Sequence, residues 1–177
     1  GVDPGTGQPF AYYETLAGGH GAGPGWDGAS AMQAHMTNTR NTPVEALEHA
    51  YPLRVLETRI RRGSGGRGRW RGGEGIVRAL ELLAPARVTV ISERRTRGPY
   101  GLLGGEAGEP GSNRVALPGR RRIPARSGVQ GRSTRRSVRP LPSKFQIDLE
   151  AGAVLTVASP GGGGFGRAPR GGAASRP

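Results

Sequence analysis

The chain reads as a mainly β protein of the α+β class, a loop-rich antiparallel sheet with short helices, built as the C-terminal part of a larger domain. Three observations carry that reading. Short apolar runs rich in β-branched and aliphatic residues are bounded by Gly and Pro. Helix-start signals stand out at one place, Thr42-Pro43-Val44-Glu45. The 33 glycines and 15 prolines exceed a quarter of the 177 residues, against only 34% hydrophobic residues, so much of the chain must be turn and loop.

Taken in order, the first ~40 residues read as loop, with a short extended piece around Phe10 to Tyr13. Thr42 as N-cap, Pro43 at the first helical position and Glu45 three residues after the cap form a capping box, predicting a short helix from Pro43 to His49. Leu53 to Ile60 is a strand by its aliphatic and β-branched content. Arg61 to Gly75 is a glycine-arginine loop. Ile76 to Leu83 is ambiguous by periodicity, and the bounding Gly75 and Pro85 favour a strand. Val88 to Glu93 is a further strand. Phe145, Ile147 and Leu149 alternate with Gln146, Asp148 and Glu150, and Ala151-Gly152 turns the chain into Ala153 to Ala158, which predicts a hairpin. Exposed strand edges would suit docking against further polypeptide.

A chain of this length can bury one core. With no cysteine, disulfides and thiolate metal sites are excluded. No apolar run reaches the ~18 residues of a membrane span and no signal-peptide layout occurs, so a cytoplasmic location is the default expectation. The net charge of +13 invites a nucleic-acid reading. Its distribution argues otherwise, because much of the excess lies between Arg114 and Lys144, where no acidic residue occurs. The resulting organisation is 1–113 carrying a polar glycine-rich loop, 114–140 a basic Arg-rich insertion expected to be disordered, 141–166 a β-hairpin and glycine loop completing the domain, and 167–177 a disordered tail.

Chemistry concentrates in Gly18 to Thr42, where glycines let backbone amides approach a ligand. His20, Asp27 and His35 are the candidate catalytic residues, of types suited to acid/base work near neutral pH or to a divalent metal. Their irregular spacing is unlike a compact metal motif. The plainer readings are a turn position for His20 and a backbone-bonded side chain for His35. Thr37, Asn38, Thr39, Arg40 and Asn41 are the candidate substrate-binding residues. Amide and hydroxyl groups can orient a cyclic amide, and an arginine fork can hold a carboxylate or phosphate. A capped turn satisfying its own backbone is the alternative, foremost for Asn41 and Thr42. Gly161 to Gly166 could cradle a phosphate, but no Gly-Lys-Ser/Thr follows, and a close-packed crossing or an exit from the last strand competes. No Ser-His-Asp triad is legible.

Motifs in a fixed order tie these pieces together. They are Tyr13-Glu14-Thr15, the glycine-rich loop with Asp27-Gly28, His35-Met36-Thr37-Asn38-Thr39-Arg40-Asn41-Thr42-Pro43, Tyr51-Pro52-Leu53-Arg54, Trp70-Arg71-Gly72-Gly73-Glu74-Gly75, Ser92-Glu93-Arg94-Arg95, Gly101-Leu102-Leu103-Gly104-Gly105, Leu141-Pro142-Ser143-Lys144 and Pro160 to Gly166. The series resembles the C-terminal part of the hydantoinase B / oxoprolinase family. It lapses between Arg114 and Arg139 and in the tail from Arg167, which are either an insertion or an altered reading frame.

The resemblance implies part of an ATP-dependent enzyme that opens cyclic amides such as hydantoins and 5-oxoproline, or that carboxylates ketones. It implies an A-type partner subunit or domain that binds ATP and Mg2+ and phosphorylates the lactam oxygen, while the B-type part completes hydrolysis. Divalent-metal ligands would lie in an upstream region, so that this chain, roughly the last third, is not competent alone. His20, Asp27, His35, Asn38 and Arg40 would line the cavity. The alternatives are an inactive remnant of the family, or a basic nucleic-acid-binding protein using the arginine-glycine segment Arg61 to Gly73. In that segment only Trp70 offers a stacking platform. Neither a membrane nor a nucleic acid is an expected partner.

Overall fold

The computed structural model describes residues 1–33, 40–118 and 137–169. Along the chain these form α1 (Val44–Ala50), β1 (Leu53–Arg61), β2 (Gly75–Leu82), β3 (Ala86–Ile91), β4 (Ser112–Leu117), β5 (Ser137–Leu141), β6 (Lys144–Leu149) and β7 (Val154–Ala158). A five-stranded sheet has the order β1-β2-β7-β4-β5, and β3 and β6 make a separate two-stranded sheet. Every pairing is antiparallel. The mainly β, loop-rich architecture is as the sequence predicts.

Burial explains the strand order. β2 and β7 bury most of their residues on both faces, as inner strands do, whereas β5 is mostly exposed and forms an edge. Pro140, which has no N–H to donate, falls in that edge strand. In the small sheet Ala86, Val88 and Val90 stand opposite Leu149, Ile147 and Phe145, while Arg87 and Thr89 stand opposite Asp148 and Gln146. One face is apolar and one polar, the alternation of a half-buried antiparallel pair. Leu47 from α1 joins Leu53, Leu82, Val115, Leu149 and Ala153 in the core, with Tyr12 and Tyr51 packed against it.

Three expectations are corrected. The predicted hairpin of Phe145–Glu150 with Ala153–Ala158 does not form, because β6 pairs with β3 and β7 with β2 and β4. The turn is present, with Gly152 at φ 83°, but it passes the chain from one sheet to the other. β7 already has β2 at one edge and β4 at the other, so no edge is left for β6. The capping box is also absent: the helix begins after Pro43, without a side-chain cap. Lastly, the ends of the basic stretch 114–140 are strand, with Arg114 opposite Pro140 and Val115 opposite Arg139. Its middle, 119–136, lies outside the described residues, as does 170–177 of the tail.

Beside the sheets the glycines build a second kind of core. The Pro160 and Gly163 carbonyls accept from Gly19 and Ala22, the Gly161 and Gly164 amides donate to Glu109 and Glu106, and Gly162 bonds Gly73 and Gly66. Partners thus recur every third residue, as in an extended three-residue-per-turn helix of the polyproline II type, which has no internal hydrogen bonds. Such close approach requires glycine. A Cβ on Gly162 would overlap the His20 carbonyl, and one on Gly161 the Ser64 carbonyl. Two buried hydroxyls fasten this lattice to β2, where Gly75 N–H donates to Ser64 Oγ at 2.9 Å and Ile76 N–H to Ser159 Oγ at 2.8 Å.

Candidate functional site

The glycine lattice fixes the first two candidates. His20 sits in the segment that binds the central glycine run, and its Nε2 donates to the Met32 carbonyl at 2.9 Å. The Asp27 carboxylate accepts from the Arg71 N–H at 2.6 Å. Both side chains therefore hold loop to loop. Among the described residues no three His, Asp or Glu side chains converge to hold a metal. Nor does Gly161–Gly166 suit a phosphate: of its amides only that of Gly163 lacks a backbone acceptor among the described residues. The close-packed crossing is the reading that stands.

The substrate-binding candidates fare differently. His35, Thr37, Asn38 and Thr39 lie outside the described residues. Arg40 and Asn41 line a cleft of about 210 Å³ together with Tyr13, Glu14, Thr15 and Thr42. Asn41 Nδ2 donates to the Thr15 carbonyl at 3.0 Å and to Glu14 Oε2 at 3.3 Å. That uses both amide hydrogens and leaves Asn41 Oδ1 as an acceptor. Gln33 Nε2 also donates to the Thr15 carbonyl, at 2.7 Å, and Thr15 Oγ1 returns a bond to Gln33 Oε1 at 3.0 Å. The polar run is thus pinned at both ends to Thr15.

Beneath the cleft is a network that the sequence reading missed. Arg78 on β2 donates through Nε and Nη2 to the two Glu14 oxygens at 3.3 and 3.2 Å, and through Nη1 to Thr58 Oγ1 at 2.8 Å. The Tyr12 hydroxyl donates to Glu14 Oε2 at 2.9 Å. Glu14 is therefore saturated with donors and acts as an anchor for the cleft wall, not as a free base. Burial raises the Tyr12 phenol above its ordinary value, with Glu14 adding to the rise and the Thr42 hydroxyl and Arg78 charge opposing it. A signal was available: Arg78 is the lone cation inside an apolar run, and a buried arginine needs a carboxylate.

Among the described residues, no helix is long and apolar enough to cross a membrane. In fold, the chain is similar to ATP-dependent caprolactamase from Pseudomonas jessenii, with TM-score 0.64 at 23% identity over 88% of this chain and 26% of that one. It is likewise similar to nucleotide-free acetone carboxylase, with TM-score 0.63 at 20% identity over 85% of this chain and 22% of that one. In sequence it is 43% identical over 157 residues to 5-oxoprolinase 1 of Arabidopsis thaliana, covering 89% of this chain and 11% of the relative. The B-type subunit of a putative D-/L-hydantoinase of Pseudomonas sp. strain NS671 is 30% identical over 158 residues, covering 89% of this chain and 24% of the relative. The chain thus spans between a tenth and a quarter of the length of these relatives. The sequence pattern of Hydantoinase B/oxoprolinase matches residues 1–168, and with the ordered motifs and the fold in agreement, the chain belongs to that family.

Proposed function

We propose that this chain is a portion of the B-type subunit or domain of an ATP-dependent cyclic-amide hydrolase of the hydantoinase or 5-oxoprolinase type. On this reading it supplies one wall of the active site and depends on other polypeptide for the remaining machinery. The observation that carries the reading is the double attachment of the polar run to Thr15, through Gln33 and Asn41. The two flanks, Gln33 and Asn41, both bind Thr15, which lines this cleft.

Within it, Arg40 would hold an anionic oxygen of the substrate or of its phosphorylated form, and Asn41 Oδ1 would accept the ring N–H. His35 would serve as acid or base, while His20 and Asp27 keep the adjoining loop in place. ATP and Mg2+ belong on an A-type partner in this proposal. When bound there, ATP supplies the activation that an unstrained amide lacks. The test is to assay the purified 177-residue chain, alone and with an A-type subunit plus the remaining B-type polypeptide, for ATP-dependent opening of hydantoin or 5-oxoproline. Turnover only in the reconstituted mixture, abolished by omitting this chain, supports the reading. Steady-state turnover by the chain alone, or a mixture indifferent to it, overturns the reading.

A further inference from the structure

A second cleft, of about 280 Å³, shares no lining residue with the one at Arg40 and Asn41. Its volume lies just under the ~300–1,000 Å³ of drug-sized ligand sites, which restricts an occupant to a small molecule. Arg94, Pro99, Tyr100 and Leu102 line it together with Gly163 and Gly164 of the glycine lattice, against which the Tyr100 and Leu102 backbones pack.

Three features mark it as built for a ligand. Arg94 has φ 56°, a left-handed conformation that non-glycine residues adopt uncommonly and that recurs at ligand sites. Its guanidinium makes no close ion pair among the described residues: neighbouring Glu93 is engaged by Lys144 at 2.8 Å and feels Arg94 only at longer range, and Arg94 lies over the Tyr100 ring, 5.7 Å from its centroid. A guanidinium held over a ring face still has N–H groups available for an oxyanion. The third feature is the buried Gly163. Its neighbours in the lattice donate to Gly73 and Glu106, but the Gly163 N–H has no acceptor among the described residues. A buried amide left without a partner is rare, and a bound acceptor is one way to satisfy it. The remaining wall is apolar and open, with Tyr100 67% and Leu102 50% exposed.

We propose that this cleft binds a small planar carboxylate, its oxygens taken by the Arg94 fork and the Gly163 N–H and its flat ring laid against Tyr100 and Leu102. A glycine floor without side chains admits a flat molecule, and the cation with the free amide selects the charge. The site is independent of the cyclic-amide reading, and its test needs no turnover.

The experiment is a titration of the 177-residue chain with benzoate, followed by saturation-transfer NMR, with benzamide and acetate as the neutral and ringless controls. Saturable benzoate binding is expected, weakened at least about tenfold when the carboxylate becomes an amide or when the ring is absent. Arg94→Gly removes the guanidinium while suiting φ 56°, so it should abolish binding at an unchanged melting temperature. Arg94→Asn tolerates the same conformation and gives an independent measurement if the glycine variant melts early. Tyr100→Ala should also weaken benzoate. Absence of saturable benzoate binding, equal binding of benzamide or acetate, or full binding by the Arg94 variants would overturn the proposal.

Discussion

Arg78 and Glu14 form a two-point ion pair that is almost wholly out of solvent, with the side chains 4% and 12% exposed and Nη2 3.2 Å from Oε2. Removing one partner leaves a buried charge, so Arg78→Ala or Glu14→Ala should each cost about 3–5 kcal/mol in urea unfolding. Replacing both, Arg78→Met with Glu14→Leu, should restore much of that stability. It should still impair the cleft, because Asn41 loses Glu14 as an acceptor. A double variant as unstable as the singles would show that the ion pair is not the source of the cost.

The raised Tyr12 phenol predicts an alkaline weakness. The proton is held more tightly in the folded state than at the ordinary value of 10.0, so this group's contribution is intact below that pH. It is lost as pH climbs through the raised folded value. Tyr12→Phe should be less stable than the parent near neutrality, having lost the bond to Glu14, but should show a shallower fall in stability above pH 10.0. Parallel pH profiles for the two proteins would refute the assignment.

Gly162 and Gly21 offer a paired test of the lattice. A Cβ on Gly162 would overlap the His20 backbone, whereas one on Gly21 would meet its nearest neighbour, the Gly163 carbonyl, at 3.8 Å. Gly162→Ala should therefore destabilise by more than about 4 kcal/mol, at the severe end for a single substitution, and Gly21→Ala should be close to neutral. Thermal melts of equal midpoint would contradict the packing.

For the proposed site, in a reconstituted enzyme, Arg40→Ala should lower turnover by about an order of magnitude or more, the loss of a charge-assisted donor. Arg87→Ala, which breaks an exposed pair with Asp148 on the small sheet, should leave turnover within a factor of about two. His20→Ala should lower the melting temperature while leaving the shape of the kcat pH profile unchanged, as befits a loop-holding side chain. A reversed ranking of Arg40 and Arg87 would move the site elsewhere.

Much of this fold is legible in the sequence because strand signals are local. Leu53–Arg61, Gly75–Leu82 and Ala86–Ile91 stand within a residue or two of where apolar runs and bounding glycines put them. Partner choice is not local. The alternation in Phe145–Leu149 specifies one buried face, but nothing between Lys144 and Ala158 reveals that β7 needs neighbours on both edges and must leave β6. Likewise the chemistry of Asn41 is visible as a residue type, while its dependence on Glu14 and Arg78 joins positions 27 and 64 residues apart. The bonds of His20 and Asp27 are hidden for a related reason: in a glycine-rich segment, polar side chains are as useful for tying backbones together as for acting on a ligand.

A core made of glycine backbone has an unusual heat capacity. Unfolding the sheet exposes the methyl groups of Leu53, Leu82 and Val115, which raises heat capacity, whereas unfolding the run around Gly161–Gly164 exposes mainly peptide groups, which lowers it. The glycine run therefore flattens the stability curve of the domain to which it is fastened. Cooling weakens the apolar contribution of Leu53, Leu82 and Val115, while the backbone hydrogen bonds of the glycine run owe little to water's entropy.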